Sequence, residues 1–85
     1  MDTQNFSKIS DHALVATLIY LGYLSRGTDK LPNDKRVSFL FENEDSLVQT
    51  MELFYNGEIR VDPKRFSQCM KEVKTRIHQF YPEYN

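Results

Sequence analysis

The 85-residue sequence contains one cysteine, three glycines and no long hydrophobic run. With Cys69 alone, an intramolecular disulfide is excluded and a cysteine-based zinc site is disfavoured. The scattered glycines Gly22, Gly27 and Gly57 form no phosphate-binding loop or nucleotide-binding motif. The most apolar segment is shorter than the roughly 20 residues that a membrane-spanning helix needs. The formal net charge of −1 gives no overall preference for nucleic acid or anionic membranes.

Few residues could carry out chemistry. Neither His12 nor His78 has a second ligand at the spacing of a zinc motif. Cys69 falls on the apolar face of a predicted helix, which favours a buried structural residue over a reactive thiol. The acids Glu42, Glu44 and Asp45 could serve as acid and base, but the dipole of a helix N-terminus is a simpler reason for acids there. We therefore predict a non-enzyme with no catalytic, metal-binding or cofactor-binding residues.

The composition indicates a single folded domain. The hydrophobic fraction is 40% and the aromatic fraction is 13%, which argues against disorder. The N-terminal segment MDTQNFSKIS lacks a basic stretch followed by an apolar one. Together with the single cysteine, this favours a cytoplasmic protein.

Residues 10–22, SDHALVATLIYLG, are apolar almost throughout between two helix-end signals. Ser10 is the predicted N-cap, Asp11 lies in the first turn, and Gly22 is the predicted stop. A helix that is apolar on several sides must be covered on several sides. We therefore expect the rest of the chain to pack around this helix, with Leu18 in the core.

In residues 36–42, RVSFLFE, every second residue from Val37 to Phe41 is apolar, as in a strand with one buried face. Val37, Phe39 and Phe41 are predicted to face the first helix. Because residues 27–34 are rich in turn formers, a hairpin with a strand at residues 23–26 is the simplest pairing. Residues 1–9 are predicted to form a flexible arm, from which Phe6 or Ile9 docks onto the domain.

Two further helices are predicted. The second begins near residues 43–46, with Asn43 or Asp45 as its cap, and ends at Asn56 and Gly57. Its apolar positions are Leu47, Val48, Met51, Phe54 and Tyr55. The third begins where Asp62 precedes Pro63 and runs to about residue 80. Its apolar face consists of Phe66, Cys69, Met70, Val73, Ile77 and Phe80.

The resulting order of elements is α-β-β-α-(β)-α, because residues 58–61 form either a short edge strand or an extended linker. This order predicts a small α+β domain, with a short antiparallel sheet and helices packed on one face. The domain is expected to span residues 10–81, between the arm at residues 1–9 and a tail at residues 82–85.

Charge is segregated in the second half of the sequence. Residues 42–58 contain five acidic residues and no lysine or arginine, whereas residues 59–78 contain six lysines and arginines and two acids. One interpretation is two solvated helix faces, since exposed ion pairs contribute only about 0–1 kcal/mol each. The other is a basic stripe on the third helix for an acidic protein or nucleic acid, formed by Lys64, Lys71 and Lys74. The loop at residues 27–36 would extend this stripe with Lys30, Lys35 and Arg36.

Aromatic residues cluster at the C-terminus. Phe80, Tyr81 and Tyr84 exceed what the core of a small domain needs, so they are candidate contacts for a partner or a second copy. The alternative is that they fold back over the first helix. Three other tyrosines are expected to bury the ring and expose the hydroxyl: Tyr20, Tyr23 and Tyr55.

Three stretches carry a resemblance to a known pattern: residues 11–23 (DHALVATLIYLGY), 37–41 (VSFLF) and 55–66 (YNGEIRVDPKRF). They resemble a family of short bacterial and phage domains of unknown function. Its pattern reads D-L-x-L-A-A-x-L-L-x-x-G-Y, an F-x-F strand, an acidic helix and Y-x-N-G-x-x-x-V-D-P-x-x-F. His12 departs from the apolar residue usual in that family, and residues 80–85 lie outside the pattern.

The resemblance covers residues 10–79 and implies the element order given above and a prokaryotic or phage setting. It implies no activity, because the matched residues are helix caps, helix stops and core positions. These residues are Gly22, Gly57, Asp62, Pro63 and Phe66.

The sequence thus predicts a small, non-enzymatic cytoplasmic domain that binds an unidentified protein or forms a homodimer, without membrane contact. The candidate partner-binding residues are Lys64, Lys71, Lys74, Phe80, Tyr81 and Tyr84. The alternative is a nucleic-acid-binding regulator that uses the basic helix at residues 62–80 and the loop at residues 27–36. The basic face lacks an aromatic residue for base stacking, which argues against single strands. A small enzyme is the third alternative.

Overall fold

A computed structural model of the protein describes residues 6–82. These residues form three strands and three helices. In chain order they are β1 (Phe6–Ile9), α1 (His12–Tyr20), β2 (Gly27–Asp29), β3 (Ser38–Glu42), α2 (Asp45–Tyr55) and α3 (Pro63–Phe80). The strands form one antiparallel sheet, so the predicted α+β class is confirmed.

Helix α1 lies at the centre of the fold. Residues 14–18 are all buried, and α1 packs mainly against α3. Five consecutive residues cover every side of a helix with 3.6 residues per turn, so α1 is surrounded as predicted. The N-cap is Asp11, not the predicted Ser10. Its carboxylate accepts hydrogen bonds from the N–H groups of Ala13 and Leu14, at 3.0 and 3.3 Å, and its negative charge also suits the helix dipole.

Strand β1 lies within the segment predicted to be a flexible arm. Residues 6–9 form a strand instead, and the residue that docks is Ile9, one of the two expected. β1 pairs with β3, with Ile9 opposite Phe39, and Ile9 is buried in the core. Only one side chain of β1 is buried, so the segment lacks the alternation that marks a strand. Its structure depends on backbone pairing with a distant segment. Residues 1–5 lie outside the described residues.

Strands β2 and β3 form the predicted hairpin, but β2 follows residues 23–26 instead of coinciding with them. Gly27 lies opposite Leu40, and the N–H of Arg26 donates to the C=O of Leu40 at 2.7 Å. The N–H of Tyr23 still donates to Leu18 at 2.9 Å, so this part of the predicted strand belongs to the end of α1. The hairpin loop accordingly covers residues 30–37.

Strand β3 is central in the sheet order β1-β3-β2. Phe39 and Phe41, and Val37 just before the strand, are fully buried under the helices, as predicted. On the outer face, the ammonium Nζ of Lys8 lies 2.8 Å from a carboxylate oxygen of Asp29. This ion pair joins the two edge strands across β3.

Helix α3 begins and ends where the sequence predicts. The carboxylate of Asp62 accepts a hydrogen bond from the N–H of Arg65 at 2.9 Å, and Pro63 occupies the first turn. Val73 and Ile77 are buried against α1 and the sheet, but Phe80 is exposed and not in the core. With 18 residues, α3 is twice as long as α1, so its last turn extends past the helix against which it packs.

Helix α2 is attached more loosely. Its N-cap is Glu44, without a side-chain cap hydrogen bond, where Asn43 or Asp45 was the expected cap. Leu47 is its buried residue, while Tyr55 is exposed, contrary to the expected burial of its ring. Tyr55 follows Leu47 by eight residues, a little more than two turns, so its side chain is rotated by about 80° from the core side of the helix. The predicted stop is confirmed, since Asn56 is the C-cap and Gly57 has a φ of 72°.

Residues 58–61 form no strand and connect α2 to α3 as a linker, which was one of the two expected structures. The linker ends at Asp62, whose backbone N–H donates to the hydroxyl of Tyr20 at 2.9 Å. The guanidinium of Arg65 lies 5.0 Å from the centre of the Tyr20 ring, within range of a cation–π contact. Tyr20 thus fixes the start of α3 to the end of α1. Of the predicted tail, residues 83–85 lie outside the described residues.

Candidate functional site

A groove of about 470 Å³ lies between the end of α1, the end of β3 and the first half of α2. Residues 21–24 and Arg26 form one wall, and Phe41 with Glu42 forms the floor at the end of β3. The opposite wall comes from Glu44, Ser46 and Thr50. Three separate parts of the chain therefore build this site.

Gly22 shapes the first wall by ending α1. Its φ is 102°, its N–H donates to Ile19 at 3.0 Å, and the N–H of Tyr23 donates to Leu18 at 2.9 Å. This pair of bonds is the Schellman arrangement, which needs a residue with positive φ and so favours glycine. The turn directs Tyr23 towards α2 and leaves Leu24 at the mouth of the groove.

The hydroxyl of Tyr23 connects the two walls. It donates to the hydroxyl oxygen of Ser46 at 2.9 Å and lies 3.2 Å from the hydroxyl oxygen of Thr50. The ring of Tyr23 is half-buried and packs against the core. Because both α2 residues are one helical turn apart, a single tyrosine fixes the position of α2 relative to the end of α1.

The mouth of the groove is apolar on one side. Leu21 is 46% exposed and Leu24 is 69% exposed. Both leucines follow α1 directly, so the same turn that ends the helix holds them in place. A partner that enters the groove would cover two large apolar side chains that water now surrounds.

The rim of the groove carries charge. The guanidinium of Arg26 lies 3.1 Å from the carboxylate of Glu42, and both side chains are about half exposed. Glu44 is exposed at the other side of the rim, where its carboxylate accepts a long 3.4 Å hydrogen bond from Ser46. The groove therefore offers apolar side chains and hydroxyl groups to a partner. It also offers the carboxylate of Glu44, which forms no ion pair with the described residues.

The residues considered for chemistry lie elsewhere or apart. Cys69 is half-buried on α3 and packs against the core. Within residues 6–82, no three side chains of histidine, cysteine, aspartate or glutamate come together in a way that could hold a metal ion.

The basic candidates lie on α3 and not at the groove. Lys64, Lys71 and Lys74 are exposed. Helical spacing puts Lys64 and Lys71 opposite the buried residues Val73 and Ile77 and puts Lys74 at the side of the helix. Lys64 and Lys71 are two turns apart and share one face, and Lys74 lies one turn further on. These three lysines therefore lie along one helix, apart from the residues that line the groove.

The aromatic candidates are divided by the structure. Phe80 is exposed at the end of α3, whereas Tyr81 is half-buried and packs against the core. The ammonium of Lys30 lies 5.9 Å from the centre of the Tyr81 ring. This contact places the loop at residues 30–37 beside the end of α3. Tyr84 lies outside the described residues.

Sequence reasoning missed the groove. Leu24 was assigned to a strand, and Leu21 was counted as part of the apolar helix. The sequence signal for the groove is the position of Gly22. A glycine that ends a short helix between Leu21 and Leu24 places both leucines on a turn, where the helix cannot bury them. The residues of the opposite wall gave no such signal, since Ser46 and Thr50 are ordinary polar positions of a helix.

None of the helices within residues 6–82 is long and apolar enough to cross a membrane. Comparison with curated proteins and with solved structures found no match. A family model described as a domain of unknown function, DUF5659, matches residues 4–79. The match includes every strand and all but the last residue of α3. The chain therefore belongs to the DUF5659 family of domains of unknown function.

Proposed function

We propose that this protein is a small, non-enzymatic protein-binding domain and that its partner occupies the groove between α1 and α2. The observation that carries the proposal is the exposure of Leu21 and Leu24 at the mouth of this groove. Single exposed apolar residues are common on protein surfaces, but apolar residues gathered at a concave site are typical of interaction sites. The charged rim fits the usual anatomy of an interface, with an apolar centre and a polar edge.

Affinity capture from a lysate of the source cells, after nuclease treatment, tests the proposal with two matched variants. Leu24→Asp places a charge in the groove. Leu31→Asp places the same charge on a leucine that is 62% exposed in the hairpin loop, away from the groove. We expect wild type and Leu31→Asp to capture the same protein and Leu24→Asp to lose it. Loss with both variants, or with neither, would contradict binding through the groove.

A second copy of this chain is the alternative occupant. The molecular mass in solution, measured by sedimentation, distinguishes the two cases. A dimer that dissociates with Leu24→Asp but persists with Leu31→Asp would assign the groove to self-association. A dimer that instead dissociates with Tyr81→Ala and Tyr84→Ala would assign it to the aromatic end of the chain.

Nucleic-acid binding is a second candidate function, and the contact between Lys30 and Tyr81 favours it. This contact brings Lys30 of the basic loop next to the end of α3, the helix that carries Lys64, Lys71 and Lys74. Arg36 adds less, because its guanidinium lies 3.5 Å from the carboxylate of Asp34.

Binding of a labelled DNA duplex at increasing salt tests this candidate. Phosphate contacts make affinity fall steeply with salt, and charge reversal by Lys64→Glu with Lys71→Glu should weaken binding strongly. Binding that shows neither effect would contradict a role for the stripe. The cytoplasmic location and the prokaryotic or phage setting remain predictions.

A further inference from the structure

The charges around the groove limit what can bind there. Glu42 and Glu44 lie on its rim, and among residues 6–82 Arg26 is the one basic residue that lines it, already paired with Glu42 at 3.1 Å. No lysine or arginine of residues 6–82 forms an ion pair with Glu44. The net charge at the rim is therefore negative, and Glu44 is open to a cation from outside.

The wider surroundings strengthen this negative field. Residues 42–58, which include all of α2, contain no lysine or arginine. The lysines of the basic stripe, Lys64, Lys71 and Lys74, lie on α3 and do not line the groove. An approaching partner therefore meets carboxylates without nearby compensation, which favours positive charge and disfavours a carboxylate or phosphate.

Beyond the groove lining, α2 exposes one more apolar side chain on the face that carries Ser46 and Thr50. Leu53 is 43% exposed and follows Ser46 and Thr50 at helical positions i, i+4 and i+7, so all three share one face. Leu21 and Leu24 stand on the opposite wall. The site therefore presents apolar side chains from two directions, as grooves that receive an amphipathic segment do.

From these observations we infer that the groove takes a short basic, amphipathic segment of a partner protein, with leucine-like side chains beside lysines or arginines. This inference rests on the proposed function and specifies the chemistry of the partner. The apolar side chains of the segment would cover Leu21, Leu24 and Leu53. Its cations would lie against Glu44 and the carboxylate edge of the groove.

Fluorescence anisotropy with two labelled peptides tests the inference. The first peptide has leucines at helical spacing with lysines between them, and the second has glutamate in place of every lysine. We expect the lysine peptide to bind and the glutamate peptide to bind at least about tenfold more weakly, because like charges at an interface disfavour association. Equal binding of the two peptides, or no binding of the lysine peptide, would overturn the inference.

Two matched variants distinguish binding of the lysine peptide in the groove from a general attraction of the peptide to the acidic helix α2. Glu44→Lys reverses the charge at the rim, and Glu52→Lys makes the same change at an exposed α2 residue that does not line the groove. We expect Glu44→Lys to weaken the lysine peptide by about three- to tenfold, and Glu52→Lys to have a clearly smaller effect. Equal effects would overturn the inference, since they would place the peptide along α2 in general.

The two proposals can fail separately. If Leu24→Asp abolishes capture of a cellular protein but the glutamate peptide binds as well as the lysine peptide, the groove binds protein and the basic partner is wrong. If Leu24→Asp affects neither capture nor peptide binding, both proposals fail. Circular dichroism of each variant confirms that it is folded, which we expect because Leu24 and Glu44 are exposed.

Discussion

At the scale of single residues, Gly22 determines the direction of the chain beside the groove. Its φ of 102° belongs to a region that residues with a side chain rarely adopt. A Cβ atom added at Gly22 would meet no other atom within 4 Å. The penalty for a side chain at this position would therefore come from the backbone conformation and not from crowding.

We predict that Gly22→Ala lowers the free energy of unfolding by about 1–2 kcal/mol, because alanine must adopt the same positive φ. Gly22→Asn should cost less, since asparagine tolerates this conformation better. Urea unfolding measures both variants. An alanine variant as stable as wild type would mean that the turn after α1 does not require a positive φ.

A second prediction concerns the hydroxyl of Tyr23. Tyr23→Phe removes the hydrogen bonds to Ser46 and Thr50, and should lower the free energy of unfolding by about 0.5–1.5 kcal/mol. Tyr55→Phe is the matched control, because it removes a hydroxyl from an exposed ring. Equal losses in the two variants would show that the connection between the groove walls contributes nothing to stability.

At the scale of elements, helix caps and apolar runs could be recognised in the sequence, whereas the pairing of strands that are distant in the sequence could not. The start of α3 follows from Asp62 and Pro63, which act on their own helix, and α1 follows from its apolar run. β1 and β2 are different. β1 buries one residue and β2 buries none, so both are strands because their backbones pair with β3. Side-chain patterns carry little information about such pairing.

The groove could not be predicted for a related reason. Its walls come from the end of α1 and the start of α2, which are distant in sequence and meet because Tyr23 bonds to Ser46 and Thr50. A sequence read in order marks the first wall only through Gly22 and its leucines, and it does not show that Ser46 and Thr50 lie opposite. The basic stripe, in contrast, lies on a single helix, and helical spacing alone was enough to predict that Lys64 and Lys71 share a face.

The central position of α1 leads to a prediction about its core. Leu18 is fully buried among the sheet and the other helices, so Leu18→Ala should lower the free energy of unfolding by about 2–5 kcal/mol. A protein of this size holds about 4–13 kcal/mol in total, so the variant would be largely unfolded at moderate urea concentrations. Leu21→Ala, three residues on at an exposed position, should cost much less. Similar losses would contradict the burial of α1.

At the scale of the whole molecule, charge is distributed so that α2 and α3 do not neutralise each other. The ion pairs within residues 6–82 join segments of the sheet, a loop to itself, or residues of one helix, and none joins α2 to α3. The acidic and basic helices are held apart because both are arranged around α1. Each face is consequently available to a partner of opposite charge, which is why the two candidate functions occupy different sides of the molecule.

The ion pair between Lys8 and Asp29 makes the stability of the sheet depend on pH. The hydrogen bond and positive charge of Lys8 lower the pKa of Asp29 below its ordinary value of 3.8. A carboxyl group whose pKa is lower in the folded state stabilises the fold above its unfolded pKa. That contribution is lost as the pH falls below about 3.8 and through the lower folded pKa, because the carboxylate becomes protonated.

We therefore predict that Asp29→Asn is less stable than wild type at neutral pH and that the difference shrinks as the pH falls below about 3.8. Urea unfolding at a series of pH values measures this difference. Lys8→Met removes the β1 partner of the same ion pair. It should therefore also reduce the change in the free energy of unfolding between neutral and acidic pH. A difference between wild type and Asp29→Asn that stays constant down to the lowest pH would contradict the pair. β1 and β2 each form backbone hydrogen bonds with β3. That result would therefore mean that this backbone pairing, without the ion pair, holds both edge strands in the sheet.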